Sequence, residues 1–120
     1  MAKAAALPSR LKALETQAAL ACELIKALGN RWRLMVLCHL VDGEKTVGDL
    51  EHALDMRQPT LSQHLARLRK DGLVESRRAG KTVYYSVASA EATAVIALLC
   101  RLYGDERDAR FVALMARARA

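Results

Sequence analysis

Aromatic residues are scarce in this chain: one Trp, three Tyr and one Phe in 120 residues. A core built on rings is therefore excluded, and burial must rest on Leu, Val and Ala, which suit helices. Proline occurs only at positions 8 and 59, so there is no Pro-rich linker. The three cysteines, Cys22, Cys38 and Cys100, form no C-x-x-C pair. With no export signal at the N-terminus, they argue for reduced thiols in the cytoplasm rather than for a disulfide framework. Long hydrophobic runs are missing too: the uncharged stretch Ala92–Cys100 is too short to cross a bilayer, so no membrane partner is expected. A Gly-rich phosphate loop and a Ser/His/Asp arrangement are also absent, so neither an enzyme nor a cofactor is expected. No repeat or low-complexity tract divides the chain. Residues 1–120 read as a single domain, with 1–12 as a flexible N-terminal segment.

What the chain does have is positive charge, and most of it lies in one place. Arg57–Lys81 holds seven Lys and Arg against two acids, a net +5 of the whole-chain +6. Clustering of this kind suits a polyanionic partner better than a merely soluble basic surface does.

Hydrophobic spacing supplies the frame. Leu20, Leu24 and Leu28 predict a first helix ending near Gly29. Asn30 caps a second, with Leu34, Cys38 and Val41 as its apolar face, and Asp42-Gly43 stops it. Thr46 opens a third, Asp49 completing a capping box, with Val47, Leu50 and Leu54 inward. After Asp55-Met56-Arg57, Pro59 takes the first position of a fourth helix. Leu61, Leu65 and Leu68 face its interior, while Thr60, Gln63, Arg67 and Lys70 face out and His64 lies at the edge. Asp71-Gly72 ends it. Glu75–Arg78 and Thr82–Val87 alternate as strands around Ala79-Gly80. Glu91–Tyr103 is a fifth helix, and Asp105–Arg119 has the stripe for a short sixth. The fold class is mainly α with a small β-hairpin.

Two helices across a tight turn, the second running into a hairpin with a basic tip, spell a winged helix-turn-helix. The second helix suits the major groove, where each base pair shows its own donor/acceptor pattern. Gln63 can pair with adenine, and Arg67 can reach guanine or a phosphate. Thr60 and Ser62, with Arg57 and Gln58 beside them, lie where hydroxyls and N–H groups meet phosphate. His64 is read as a base or phosphate contact ahead of a packing role. Arg77, Arg78 and Lys81 would press the hairpin against a minor groove or the backbone. The expected partner is double-stranded DNA.

The run TVGDLEHAL…RQPTLSQHLARLRKDGLVESRRAGKTVYYSV resembles the arsenic-repressor (ArsR/SmtB) family of bacterial repressors, over roughly Leu20 to Tyr103. That resemblance implies a homodimer joined through the first and fifth helices, a palindromic operator, and release of DNA on sensing an inducer. The apolar faces of Leu20–Leu28 and Val95–Leu102 also exceed what one small domain easily buries, which points to the same dimer.

The family's metal sites find no match. The third helix reads Thr46-Val47-Gly48-Asp49 where a thiol motif would stand, and the fifth has no His and only Glu91 as an acid. His39, His52 and His64 fall on three elements, so no metal site is expected. "LMVLCHL" resembles the branch that senses reactive sulfur such as persulfides (the BigR/SqrR type), in which two thiols respond. The resemblance puts one at Cys38 and the other near the end of the fifth helix. There this chain has Gly104 in the expected place, and the nearest thiol is Cys100, one turn earlier. The implied function is a cytoplasmic dimeric repressor released by thiol modification at Cys38 with Cys100. Two alternatives stand beside it. One is a repressor responding to arsenite or another thiophilic species held by two or three thiolates, Cys22 being the third where all three cysteines converge. The other is a DNA-binding regulator with no inducer, its cysteines only packing.

Overall fold

The structure, a computed structural model, describes residues 8–105. Two helices, α1 (Ser9–Thr16) and α2 (Ala18–Leu28), are separated by Gln17, which leaves helical geometry with φ −109° and ψ 19°. Then come α3 (Arg31–Leu40), the two-residue strand β1 (Lys45–Thr46), α4 (Val47–Leu54) and α5 (Gln58–Lys70). The chain continues through β2 (Val74–Ala79), β3 (Thr82–Val87) and α6 (Ala90–Tyr103). The expected first to fifth helices are thus α2, α3, α4, α5 and α6. The sixth lies outside the described residues.

Helix α1 takes in Ser9–Lys12 of the segment expected to be flexible; residues 1–7 lie outside the described region. Its run of Leu, Lys, Ala and Arg has high helix propensity but buries nothing, so no periodic apolar face announced it.

The caps follow the sequence closely. Asn30 accepts from the amides of Trp32 and Arg33 at 2.9 and 3.1 Å. Thr46 and Asp49 form the reciprocal capping box, each bond 3.0 Å. Ser89 caps α6 through the Ala92 amide. Pro59 sits at the second helical position rather than the first, since Arg57 is the N-cap and Gln58 the first residue. Either position suits proline, because neither amide has an intrahelical acceptor.

One core joins these elements, with Leu37, Leu50, Leu61, Leu65, Leu68 and Ile96 as its largest fully buried side chains. Helix α3 is rotated from the expected face. Val36, Leu37, Leu40 and Val41 are buried, whereas Leu34 and Cys38 are half-buried against the core. The helix is apolar on nearly every side between Leu34 and Val41, so spacing alone could not choose its phase.

Behind the helices lies a three-stranded antiparallel sheet of order β1-β3-β2. Strand β3 pairs with both neighbours: Thr46 and Arg77 flank Tyr84, and Lys45 and Ser76 flank Tyr85. The hairpin was expected, but β1 was not. Two residues give no alternation, and their partner is far along the chain.

Candidate nucleic-acid interface

The turn between helices α4 and α5 is shaped by local backbone chemistry at both of its ends. Asp55 ends α4 in the left-handed region, φ 50°, which Asp tolerates better than most residues. Arg57 returns to extended geometry and starts α5 with no side-chain cap, leaving the first amides of α5 without a side-chain acceptor there. At the other end, α5 closes with a Schellman motif. The Gly72 amide bonds the Arg69 carbonyl at 3.0 Å, and the Leu73 amide reaches back to Leu68 at 2.9 Å. Gly72 supplies the positive φ of 75° that this turn needs, and Leu68 and Leu73 are both buried beneath it. The strand that follows is therefore tied to the helix end by two backbone hydrogen bonds and a buried leucine pair.

Across α5, Leu61, Leu65 and Leu68 are buried, and Thr60, Ser62, Gln63 and Arg67 are exposed, as are Arg57 and Gln58 before them. Thr60, Gln63 and Arg67 follow helical spacing and make one outward row. Such a row carries hydroxyl, amide and guanidinium groups able to bond base edges and phosphates. Arg67 already donates from Nε to Asp71 Oδ2 at 2.8 Å, an i,i+4 pair at the helix end. His64 is half-buried. Burial first, and the Arg33 charge second, hold its pKa below the ordinary 6.5. Arg33 is itself fixed by bonds to the Ala27 and Lys26 carbonyls, 2.8 and 3.2 Å, closing the end of α2.

The hairpin turns through Gly80 and Lys81, with Gly80 at φ 63° as a two-residue loop demands. Arg77, Arg78 and Lys81 are all exposed, but they do not form one patch. Arg77 opposes Tyr84 and Arg78 opposes Val83, so the two arginines point to opposite faces of the ribbon. Arg77 is engaged with Glu44, its Nε 2.9 Å from Oε2. Bonding to Arg77 holds the Glu44 carboxyl below its usual range, and the same bond raises the Arg77 pKa. Glu44 escaped the sequence reading because it is 33 residues from Arg77 in the chain. The Arg67–Asp71 pair was not read from the sequence either, although its i,i+4 spacing was the available signal.

The thiols lie elsewhere. Cys38 on α3 and Cys100 on α6 are half-buried against the common core, and Cys22 on α2 is exposed. A Cβ at Gly104 would come 2.5 Å from the Cys100 carbonyl oxygen, so this backbone accepts only glycine there. A thiol at position 104 would require the end of α6 to move.

A turn-linked helix pair with a polar, basic outer row, followed by a basic hairpin, defines a winged helix-turn-helix. The signature of the arsR family of bacterial regulatory proteins matches residues 32–76. The transcriptional activator HlyU of Vibrio cholerae is 48% identical over 96 residues, covering 80% of this chain and 89% of that protein. The solved structure of its reduced form superposes with a TM-score of 0.74 at 47% identity, over 78% of this chain and 99% of that one. The transcriptional repressor BigR of Xylella fastidiosa gives 0.75 at 38% identity, over 79% and 97%. A homodimeric winged helix-turn-helix DNA-binding domain, Mb0332 of Mycobacterium bovis, gives 0.66 at 30%, over 88% and 94%. The chain belongs to the arsR family of bacterial regulatory proteins, near the branch that holds BigR.

Proposed function

We propose that this transcriptional regulator is a homodimeric repressor that occupies an operator through α5 and the β2–β3 wing and leaves it when its thiols are modified. The observation that carries the reading is the division of α5 into a buried leucine face and an outward row of Thr60, Gln63 and Arg67. In this reading Arg57, Gln58, Ser62 and His64 line the same groove, and Arg78 and Lys81 meet phosphates. Repression needs only that the dimer occupy the operator. An activator and a repressor are both among its relatives.

Support for the dimer comes from apolar groups left outside. Leu20 and Ile25 on α2 are 69% and 66% exposed, and Leu102 and Tyr103 on α6 are 62% and 84% exposed. Covering them with a second copy about a two-fold axis would present two α5 helices to successive major grooves, roughly 34 Å apart. A dimer neutralising three or four phosphates per subunit gives a log–log salt slope of about −5 to −7. A slope near zero would remove the DNA role.

For the inducer, the supporting observation is that Cys38 and Cys100 pack against one core from two different helices. A sulfur bridge between them would tie α3 to α6 and strain the frame that holds α5. Peptide mapping of the reduced protein after glutathione persulfide treatment tests this. A Cys38–Cys100 peptide pair joined through extra sulfur is expected. Separately capped or unmodified cysteines would remove the persulfide reading and leave arsenite response or inducer-free binding.

A further inference from the structure

Arg77 is held more firmly than the other charges of the wing. Its Nε donates to both oxygens of Glu44, at 3.2 and 2.9 Å, and a terminal nitrogen donates to Oε1. The guanidinium carbon also lies 4.5 Å from the centre of the Tyr84 ring. Tyr84 sits in the middle strand, opposite Arg77 on one side and Thr46 on the other, and Glu44 immediately precedes β1. A side chain from one edge strand thus crosses the middle strand over an aromatic ring and is gripped beside the other edge. The opposite edge needs such a tie, because β1 has only two residues and two register pairs with β3. The fork of an arginine matches a carboxylate and a ring face together, a geometry lysine cannot reproduce.

We propose that Arg77 is a positioning residue of the wing and contributes no phosphate contact: Glu44 neutralises it, and Arg78 and Lys81 supply the wing's charge to DNA. This rests on the DNA-binding reading above. Arg78 lies on the other face of the ribbon and Lys81 in its turn, so neither shares the tie.

The test uses the full chain and a fluorescein-labelled random-sequence duplex of about 30 base pairs, titrated across salt by anisotropy. Non-specific binding suffices, because the slope counts neutralised phosphates. Arg77→Gln and Arg77→Lys should each weaken binding by about three- to tenfold and leave the slope unchanged. Glu44→Gln should weaken binding to a similar extent, because it breaks the tie that positions the wing. The double change Arg78→Gln, Lys81→Gln should flatten the slope by about 0.9 for each phosphate that is no longer neutralised. Two results would overturn the proposal. In one, Arg77→Gln flattens the slope and Arg77→Lys restores it; in the other, Glu44→Gln tightens binding instead of weakening it, as removing a carboxylate from beside a phosphate ligand would. Should Arg77→Gln unfold early, Glu44→Gln still decides between the two roles. A near-zero slope in the unsubstituted protein is a separate result, and it would remove the DNA-binding reading itself.

Discussion

The outward faces of α5 and α2 present opposite chemistry. Helix α5 places its three leucines under the other elements and shows hydroxyl, amide and guanidinium groups outside. Helix α2 buries only Ala27 and Leu28 and turns Leu20 and Ile25 outward. The first helix is complete within one chain, whereas the second carries apolar surface that nothing among the described residues covers. An amphipathic helix with its polar side out is satisfied by water and leaves hydrogen-bonding groups available; one pointing leucines out indicates another apolar face.

The contrast can be broken most severely at Leu65. Replacing this buried side chain with Ala should cost about 2–5 kcal/mol, a large share of a small domain's stability, as read by urea denaturation. Leu20→Ala, by contrast, should barely change the stability of the monomer, within about 0.5 kcal/mol. Equal losses at both positions that do not depend on protein concentration would show that α2 is buried within one chain after all.

The next largest effect concerns the outer apolar surface itself. The pair Ile25→Asp and Leu102→Asp should leave the far-ultraviolet dichroism of the helices intact and shift sedimentation to that of a monomer. DNA affinity should fall by about a hundredfold as two-site binding is lost. A dimer that survives both charges would place the interface elsewhere.

A smaller change sharpens the local frame. Thr46→Ala removes half of the capping box that starts α4 and should cost about 1 kcal/mol, measurable as a lower urea midpoint with an unchanged slope. The smallest effect is expected from His64. Its folded pKa lies below the ordinary 6.5 because burial, then Arg33, disfavours the cation. Just below pH 6.5 the unfolded chain binds more protons, so this contribution to stability is complete above 6.5 and is lost as pH falls through the folded value. Stability curves of the parent and His64→Gln should therefore converge as pH drops below 6.5. A phosphate near His64 would favour the cation, so DNA affinity should rise over the same range. A pH-independent difference between the two proteins would refute the assignment.

Much of α4 and α5 could be read from the chain because their determinants are local. The Thr46–Asp49 box, the leucines of α5 and the Asp71-Gly72 stop each act within a few residues. Strand β1 could not be read, since its only register partners lie in β3, with the whole of residues 47–81 between them. The Glu44–Arg77 tie was hidden for the same reason. Three wing cations looked equivalent in sequence, yet strand alternation sets Arg77 and Arg78 on opposite faces and gives one of them a carboxylate partner. The phase of α3 was hidden differently, by an apolar content too even to mark a face.

The strand that is made last in the sheet is also its middle strand. During synthesis β1 emerges early and has nothing to pair with until Thr82–Val87 follow. The bonds of the helices between them are local, whereas pairing β1 with β3 closes a long loop and carries the corresponding chain-entropy cost. A chain halted before Thr82 would carry a finished α5 with neither end of its segment anchored to the sheet. Commitment to the native frame is thus deferred until the wing has been made.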